Sequence, residues 1–210
     1  GHPAKSNAML TDTGATALMA HQSVTRTTVK TEFFAGLLVE MAETIGIDRY
    51  GHIQDDIAQA IMAATMGRSA LRAAEVDGKI NEYGFFQPDM APLAAIRTWL
   101  PRYFQTLPET IRKFGASGLT ALPYESDMSG EIAGDASRYL QSKTLPGRDR
   151  VHLFNMGFDA AVSSFAGRQG LYEYYFHGDP LRMASAYLAS TDTSDYRDLV
   201  ERLLKRTREF

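Results

Sequence analysis

The chain has 210 residues, 44% of them hydrophobic and 22% charged, and its 22 basic and 25 acidic side chains leave a net charge of −3. This composition is typical of a folded globular chain, and the small negative charge argues against a general nucleic-acid binder. Because there is no cysteine, disulfides, thiolate zinc sites and cysteine-ligated iron–sulfur clusters are excluded. No apolar stretch is long enough to predict a membrane span, and no secretory signal is visible. We expect a cytoplasmic protein that binds neither nucleic acid nor membrane.

Apolar residues at helical spacing predict a first helix from Thr11 to about Ile47, which Gly46 is placed to end. The apolar face of this helix is expected to comprise Leu18, Val24, Val29, Phe33, Leu37, Met41 and Ile45. Further helices are predicted over 52–76, 91–113 (kinked at Pro101), 131–141, 146–175, 180–188 and 195–208, with hairpin character only at 79–88. The pattern predicts an all-α fold in a single domain over residues 1–210: an antiparallel helical bundle with a short hairpin and a helical C-terminal tail.

The usual motifs of catalysis and metal binding are not found. No nucleophile elbow occurs, and none of the histidines pairs with another at helical spacing or forms the Glu-x-x-His pairs of di-iron bundles. The Gly-Ala-Ser-Gly sequence at 115–118 follows a predicted helix rather than a strand, unlike a phosphate-binding loop. We therefore predict no catalytic residue and no metal ligand in this chain.

The segment 163–183 has an unusual composition for a bundle helix. Small residues precede Arg168, whose guanidinium suits a pyrophosphate or carboxylate, and Gln169, which offers hydrogen-bond donors and acceptors. The helix then breaks at the sequence His-Gly-Asp-Pro, 177–180. One interpretation is structural: Gly178 ends one helix and Asp179 caps the next, which Pro180 begins. The other interpretation is a ligand site at a helix N-terminus. The residue pattern by itself favours the structural interpretation.

Five segments in order resemble the 4-hydroxyphenylacetate 3-monooxygenase family of flavin-dependent aromatic hydroxylases. These are AHQSVTRTTVKTEFFAGLLVEMAETIG (20–46), FGASGLTALPYESD (114–127), RYLQ (138–141), RVHLF (150–154) and the segment at 163–183. The resemblance implies a fold similar to the C-terminal domain of the acyl-CoA dehydrogenases. It implies an FADH2-dependent phenol ortho-hydroxylase, supplied with reduced FAD by a separate reductase.

Within that family the bundle forms one wall of the flavin pocket and the core of a tetramer, and the N-terminal and β-barrel domains are absent from this chain. The resemblance therefore implies a fragment that is not active alone, in a homo-oligomer acting on a phenolic small molecule. It favours His177, Gly178, Asp179 and Pro180 as flavin contacts, with Arg168 and Gln169 as further candidates. His21, together with Gln22 and Arg26 on the first helix, is a weaker candidate, because satisfied polar groups at the helix interface explain these residues better than flavin contacts do.

Two relatives are disfavoured. The 4-hydroxybutyryl-CoA dehydratases resemble this family but hold an iron–sulfur cluster through a histidine and a later cysteine, and here the position seven residues after His21 is Thr28. An acyl-CoA dehydrogenase proper would need a glutamate base in a motif that is not found. The alternative function is a non-catalytic helical assembly module without flavin binding. The aromatic run at 172–176 and the charged run at 197–209 are interpreted as packing or interface residues and as a solvated helix face.

Overall fold

The computed structural model describes residues 1–207, apart from the side chain of Thr11. A two-residue hairpin of β1 (Lys79–Ile80) and β2 (Phe86–Gln87) is antiparallel and pairs Lys79 with Gln87. The helices are α1 (Pro3–Thr11), α2 (Ala15–Ile45), α3 (Gly51–Val76), α4 (Met90–Phe104), α5 (Thr106–Gly115), α6 (Glu125–Ser129), α7 (Ala133–Tyr139), α8 (Gly147–Ala161), α9 (Ser164–Tyr175), α10 (Pro180–Ser190) and α11 (Ser194–Thr207), with a 3₁₀ turn at Ala116–Leu119. The predicted all-α bundle with a short hairpin and a helical tail is confirmed. The last predicted helix was extended to Arg208, which lies outside the described residues.

The long helices α2 and α3 form the centre of the bundle. Gly46 ends α2 as predicted: it has φ +75°, which glycine adopts without steric cost, and its amide donates to the carbonyls of Ala42 and Glu43. Farther along, Gly67 of α3 lies against Thr28 of α2, where a Cβ atom at position 67 would come within 2.3 Å of the threonine Oγ1. A glycine at this point therefore allows the two helices to approach closely.

The buried face of α2 is partly made of hydroxyl side chains, and the predicted apolar face is therefore only partly correct. Thr27 and Thr31 are buried, and their hydroxyls donate to the backbone carbonyls four residues earlier, at 3.0 and 2.9 Å. With these hydroxyls satisfied, the threonines can face the core. The prediction was wrong for Leu18, Val29 and Phe33, which are exposed.

Two predicted long helices are each broken in two. The helix predicted over 91–113 is α4 and α5, with the break at Gln105 rather than at Pro101, which lies inside α4. Pro108 explains the position, because in a continuous helix its ring would collide with the carbonyl of Phe104. The helix predicted over 146–175 is α8 and α9, separated where Ser163 caps α9 by accepting a hydrogen bond from the amide of Ala166 at 3.2 Å.

Two apolar clusters hold the bundle together. The first lies where α2 packs with α5 and α8, and the second where α2 packs with α3 and α4. The most buried large side chains of these clusters are Val24, Leu38, Met41, Leu93, Leu100, Phe104, Leu107, Ile111 and Phe154. Among residues 1–207, no helix combines the length and the apolar character that a membrane crossing requires.

Candidate functional site

The break between α9 and α10 lies where the sequence predicts it. Gly178 has φ +114°, and the carboxylate Oδ1 of Asp179 accepts a hydrogen bond of 2.9 Å from the amide of Arg182. Pro180 is the buried first residue of α10, and its carbonyl oxygen accepts a hydrogen bond of 2.9 Å from the guanidinium of Arg102. The predicted capping roles of Asp179 and Pro180 are thus present. The hydrogen bond from Arg102 also links α4 to the start of α10.

His177 precedes this break and lies beside positive charge. Its ring is partly buried, and its Nδ1 atom is shielded from solvent without a hydrogen-bond partner among the described residues. Burial, reinforced by the charges of Arg97 and Arg26 and opposed by that of Glu173, lowers the pKa of His177 to about 4. The imidazole is therefore neutral at physiological pH.

Glu173 is the centre of a buried charge cluster that joins α2 to α9. Its side chain is fully buried, and its Oε1 atom accepts hydrogen bonds from Arg26 at 2.6 Å, Lys30 at 2.5 Å and Gln169 at 2.6 Å. The Oε2 atom faces the hydroxyl of Thr27 at 3.5 Å. A buried carboxylate needs such partners, because an unpaired charge in the interior is costly.

The guanidinium of Arg26 is also held by two aromatic rings, Tyr172 of α9 and Phe176 directly after it. It lies 4.7 Å from the ring centre of Tyr172 and 4.2 Å from that of Phe176. Stacking and the ion pair together fix the orientation of the guanidinium plane. Of the aromatic run at 172–176, Tyr172 and Phe176 are thus partly exposed rings that position a cation, rather than core residues.

Arg97 of α4 adds a further cation near His177. The side chain is half-buried, burial lowers its pKa, and no carboxylate within residues 1–207 forms an ion pair with it. Its Nε atom is buried and lacks a hydrogen-bond partner in the described chain, as does the Nε atom of Arg26. Two cations therefore contact the carboxylate of Glu173 and a third lies near His177. Three buried nitrogen atoms of Arg26, Arg97 and His177 have no hydrogen-bond partner in the described chain.

The structure brings together only some of the site residues predicted from sequence. Gln169 and His177 join the cluster around Glu173. Arg168 lies exposed on α9, and His21 pairs with Glu75 of α3 at 2.8 Å rather than with α9. No group of side chains suited to a metal ion is found among residues 1–207.

Sequence analysis missed Glu173, Arg97 and the role of Arg26. A partial signal was present: Arg26 and Lys30 are four residues apart on α2, and Gln169 and Glu173 are four residues apart on α9. Residues at this spacing share one helix face. This spacing gives a basic face on α2 and an acidic residue on one face of α9, but it does not show that the two faces meet.

Comparison with solved structures identifies the class of fold. The chain superposes with a TM-score of 0.89 and 37% identity on the crystal structure of the oxygenase component of 4-hydroxyphenylacetate 3-monooxygenase complexed with FAD, covering 97% of this chain and 43% of that one. A 4-hydroxybutyryl-CoA dehydratase from N. maritimus shares the fold at a TM-score of 0.72 and 15% identity, over 85% of this chain and 36% of that one. The chain is thus a helical bundle of the acyl-CoA dehydrogenase-like fold, as predicted.

Sequence comparison gives the family. Residues 6–205 match the profile described as HpaB, 4-hydroxyphenylacetate 3-hydroxylase C terminal, and the chain belongs to this family. It is 39% identical over 206 residues to the 4-hydroxyphenylacetate 3-monooxygenase oxygenase component of Geobacillus sp. (strain PA-9), covering 98% of this chain and 42% of that protein. The corresponding protein of Thermus thermophilus is 38% identical over 195 residues, covering 93% of this chain and 40% of that protein. The chain therefore spans about two fifths of the length of these relatives.

Proposed function

We propose that residues 1–210 are a single domain, the C-terminal bundle of the oxygenase component of a two-component, FAD-dependent phenol hydroxylase. In this proposal the bundle forms one wall of the flavin pocket, and a separate reductase supplies reduced FAD in the cytoplasm. The proposal is supported by the family match over residues 6–205 and by the fold shared with an oxygenase component complexed with FAD. The substrate would be a phenolic small molecule, as the names of the relatives indicate.

The observation that carries the proposal is the set of buried, unpaired nitrogen atoms beside the α9–α10 break. Flavin adenine dinucleotide has an anionic pyrophosphate and a polar ring edge, so its pocket needs cations and unpaired hydrogen-bonding groups. Arg26, Arg97 and His177 each present one such nitrogen atom, and Glu173 neutralises only part of the local positive charge. These residues fit the cofactor.

Each element of the site has a distinct task in the proposed pocket. Arg26 and Arg97 would hold an anionic part of the cofactor, while neutral His177 would donate or accept one hydrogen bond through Nδ1. Gly178 has no side chain and an exposed backbone, so a ligand can approach it closely. The amide groups at the start of α10 face the same break. When bound, reduced FAD supplies the electrons for oxygen activation, and this wall would exclude water from it.

The remaining predicted contacts stay part of the proposal. Arg168 is exposed, and its guanidinium is therefore accessible to a ligand approaching α9. His21 is the weakest candidate, since its Nε2 atom is already engaged by Glu75. We do not assign a catalytic residue to this chain.

We also propose that the bundle contributes to the core of a homo-oligomer, with a tetramer as the expected state. The support is the exposed apolar surface on its long helices, including Val29 and Phe33 of α2 and Met62 and Met66 of α3. Contiguous exposed apolar surface is typical of interfaces. The second candidate function, an assembly module without flavin binding, needs only this surface and leaves the charge cluster without a ligand.

Anaerobic titration of the intact gene product with reduced FAD separates the two candidates. We expect binding in the micromolar range or tighter, weakened about tenfold or more by Arg97→Gln and by His177→Ala, because each removes one cofactor partner. Arg138→Gln is the matched control, since Arg138 is an exposed arginine of α7 outside the cluster. If the intact protein binds no reduced FAD, the hydroxylase proposal fails and the assembly module is favoured.

A further inference from the structure

Helix α10 follows the α9–α10 break and is held to the bundle by a small contact. Among the described residues of α10, Pro180 alone is buried, and the helix packs mainly against α4. Gly178, two residues before α10, has φ +114°, and a glycine at this point leaves the backbone more conformational freedom than another residue would. The orientation of α10 relative to α9 therefore depends on few contacts, and each bond between α4 and α10 matters to it.

Arg102, in the last turn of α4, makes one of these bonds. Its Nη2 atom donates a hydrogen bond of 2.9 Å to the carbonyl oxygen of Pro180. Within residues 1–207 no carboxylate forms an ion pair with Arg102. A hydrogen bond from a charged donor is stronger than one between neutral groups. Because the acceptor is a backbone atom, this bond fixes the path of the main chain three residues after His177.

Gln105 holds the chain on the other side of the break. It lies at the junction of α4 and α5, and its Nε2 atom donates to the carbonyl oxygen of Gly170 in α9 at 3.2 Å. Arg102 and Gln105 are three residues apart, so they share one face at the end of α4. One side chain thus bonds to α9 before the break, and the other bonds to α10 after it.

We propose that Arg102 is a positioning residue of the flavin site, which holds the His-Gly-Asp-Pro break (177–180) in the shape that the cofactor requires. This inference rests on the proposed function. Arg102 acts through the backbone of Pro180 rather than by touching the cofactor. Without its bond, α10 can pivot at Gly178, and the amide groups at the start of α10 then turn away from the pocket.

Arg112 of α5 provides a matched control. It also lies in the last turn of its helix, and its Nη1 atom donates to the carbonyl oxygen of Ala161, at the end of α8, at 2.8 Å. The two arginine bonds are alike in charge, length and type of acceptor, but of the two only that of Arg102 reaches the break. Substitution by methionine retains an apolar stem at each position and removes the donors.

Hydrogen exchange of the intact gene product measures the stability of the break without the cofactor. The amides of Arg182 and Met183 both donate to Asp179 at 2.9 Å, to its side chain and to its backbone respectively. We expect Arg102→Met to speed the exchange of these two amides about fivefold or more, because the start of α10 opens more often. Arg112→Met should leave their exchange within about twofold of wild type.

Anaerobic titration with reduced FAD measures the consequence for the cofactor. We expect Arg102→Met to weaken binding about tenfold, because the pocket is then correctly shaped for only part of the time. Arg112→Met should bind within about twofold of wild type. Thermal unfolding checks that both variants are folded.

Chemical rescue separates positioning from a general loss of stability. Arg102→Ala leaves space for a free guanidinium, so added methylguanidinium should restore both the flavin affinity and the slow exchange at the start of α10. Arg112→Ala with methylguanidinium should show neither change. A merely destabilised protein would gain no affinity from this cation.

The outcomes distinguish this inference from the proposed function. If wild type binds reduced FAD and Arg102→Met binds it equally well, the proposed function stands and the positioning role of Arg102 is overturned. Unchanged exchange at the start of α10 in Arg102→Met overturns the role as well, and so does an equal loss of affinity in Arg112→Met. If wild type binds no reduced FAD, the proposed function itself fails and this inference fails with it.

Discussion

Arg26 of α2 and Glu173 of α9 form an ion pair of 2.6 Å across 147 positions of sequence. The pair joins the first long helix to the segment that leads into the α9–α10 break. The guanidinium uses Nη1 for Glu173 and lies against the rings of Tyr172 and Phe176. Its Nε atom remains buried and has no partner in the described chain. Glu173 thus holds Arg26 in one orientation without consuming all of its hydrogen-bonding capacity.

The first prediction concerns the stability that this cluster provides. Glu173→Gln should lower the free energy of unfolding by about 2–3 kcal/mol, because it leaves two cations without their buried partner. The expected loss is below that of a fully buried pair, since the side chains of Arg26 and Lys30 retain 17% and 34% of their exposure. Equilibrium unfolding in urea measures the change.

The matched control is Glu75→Gln. The carboxylate of Glu75 also accepts a hydrogen bond from a side chain of another helix, His21 of α2, but the Glu75 side chain is 57% exposed. An exposed pair contributes little, so we expect a loss below about 0.5 kcal/mol. Equal effects of the two substitutions would contradict the assignment of Glu173 as a buried anchor.

The second prediction concerns pH. The pKa of His177 is about 4 in the folded chain, so the folded state leaves it neutral while the unfolded chain takes up a proton below its ordinary pKa of about 6.5. The unfolded state therefore binds more protons between these two pH values, and stability falls as pH is lowered from about 6.5 to about 4. We expect His177 to account for about 1–2 kcal/mol of that fall, since solvent still reaches part of its ring.

Carboxylates titrate in the same pH range, so the comparison is made between variants. The difference in unfolding free energy between wild type and His177→Gln should change with pH in this window and be constant above about pH 7. His52→Gln replaces an exposed histidine of α3 and should reproduce the wild-type profile. Parallel profiles for wild type and His177→Gln would rule out the proposed desolvated imidazole.

Much of the fold follows from local rules in the sequence. Gly46 and the Asp179-Pro180 pair act within a few residues of themselves, and their capping roles were predicted correctly. Pro108 also acts locally, because its ring excludes a helical carbonyl four residues earlier. This clash was not considered, and the break at Gln105 was therefore missed. The helix α1 was missed as well, since its short sequence has little apolar periodicity.

The charge cluster could not be derived in the same way. Its members come from α2, α4 and α9, and nothing local to Glu173 shows that it is fully buried. A carboxylate four residues after Gln169 is typical of an exposed helix face, and burial depends on how α9 lies against α2. The residue pattern located the α9–α10 break and the family resemblance favoured it as a flavin contact, whereas the partners of His177 required the packing of three helices.

The third prediction concerns the close approach of α2 and α3. Gly67→Ala should destabilise the bundle by about 1–3 kcal/mol, because its methyl group would overlap the side chain of Thr28. Thr28→Ala removes the atoms that would clash, so the double variant should be more stable than the sum of the two single effects. Gly36→Ala is the control: Gly36 is exposed on α2 with nothing within 4 Å, and alanine there should be neutral or stabilising by up to about 1 kcal/mol. Additive changes in unfolding free energy for Gly67→Ala and Thr28→Ala would contradict the close contact between these two residues.

The fourth prediction separates the two roles of Asp179. Its Oδ1 atom caps α10 by accepting from the amide of Arg182, so Asp179→Ala should cost about 1 kcal/mol of stability. Asn is an equally good cap, and Asp179→Asn should therefore leave the unfolding free energy within about 0.5 kcal/mol of wild type. Titration with reduced FAD then distinguishes the roles. If Asp179 only shapes the break, the Asn variant binds like wild type and the Ala variant binds more weakly. If the carboxylate itself contacts the cofactor, the Asn variant is folded and capped yet changed in affinity.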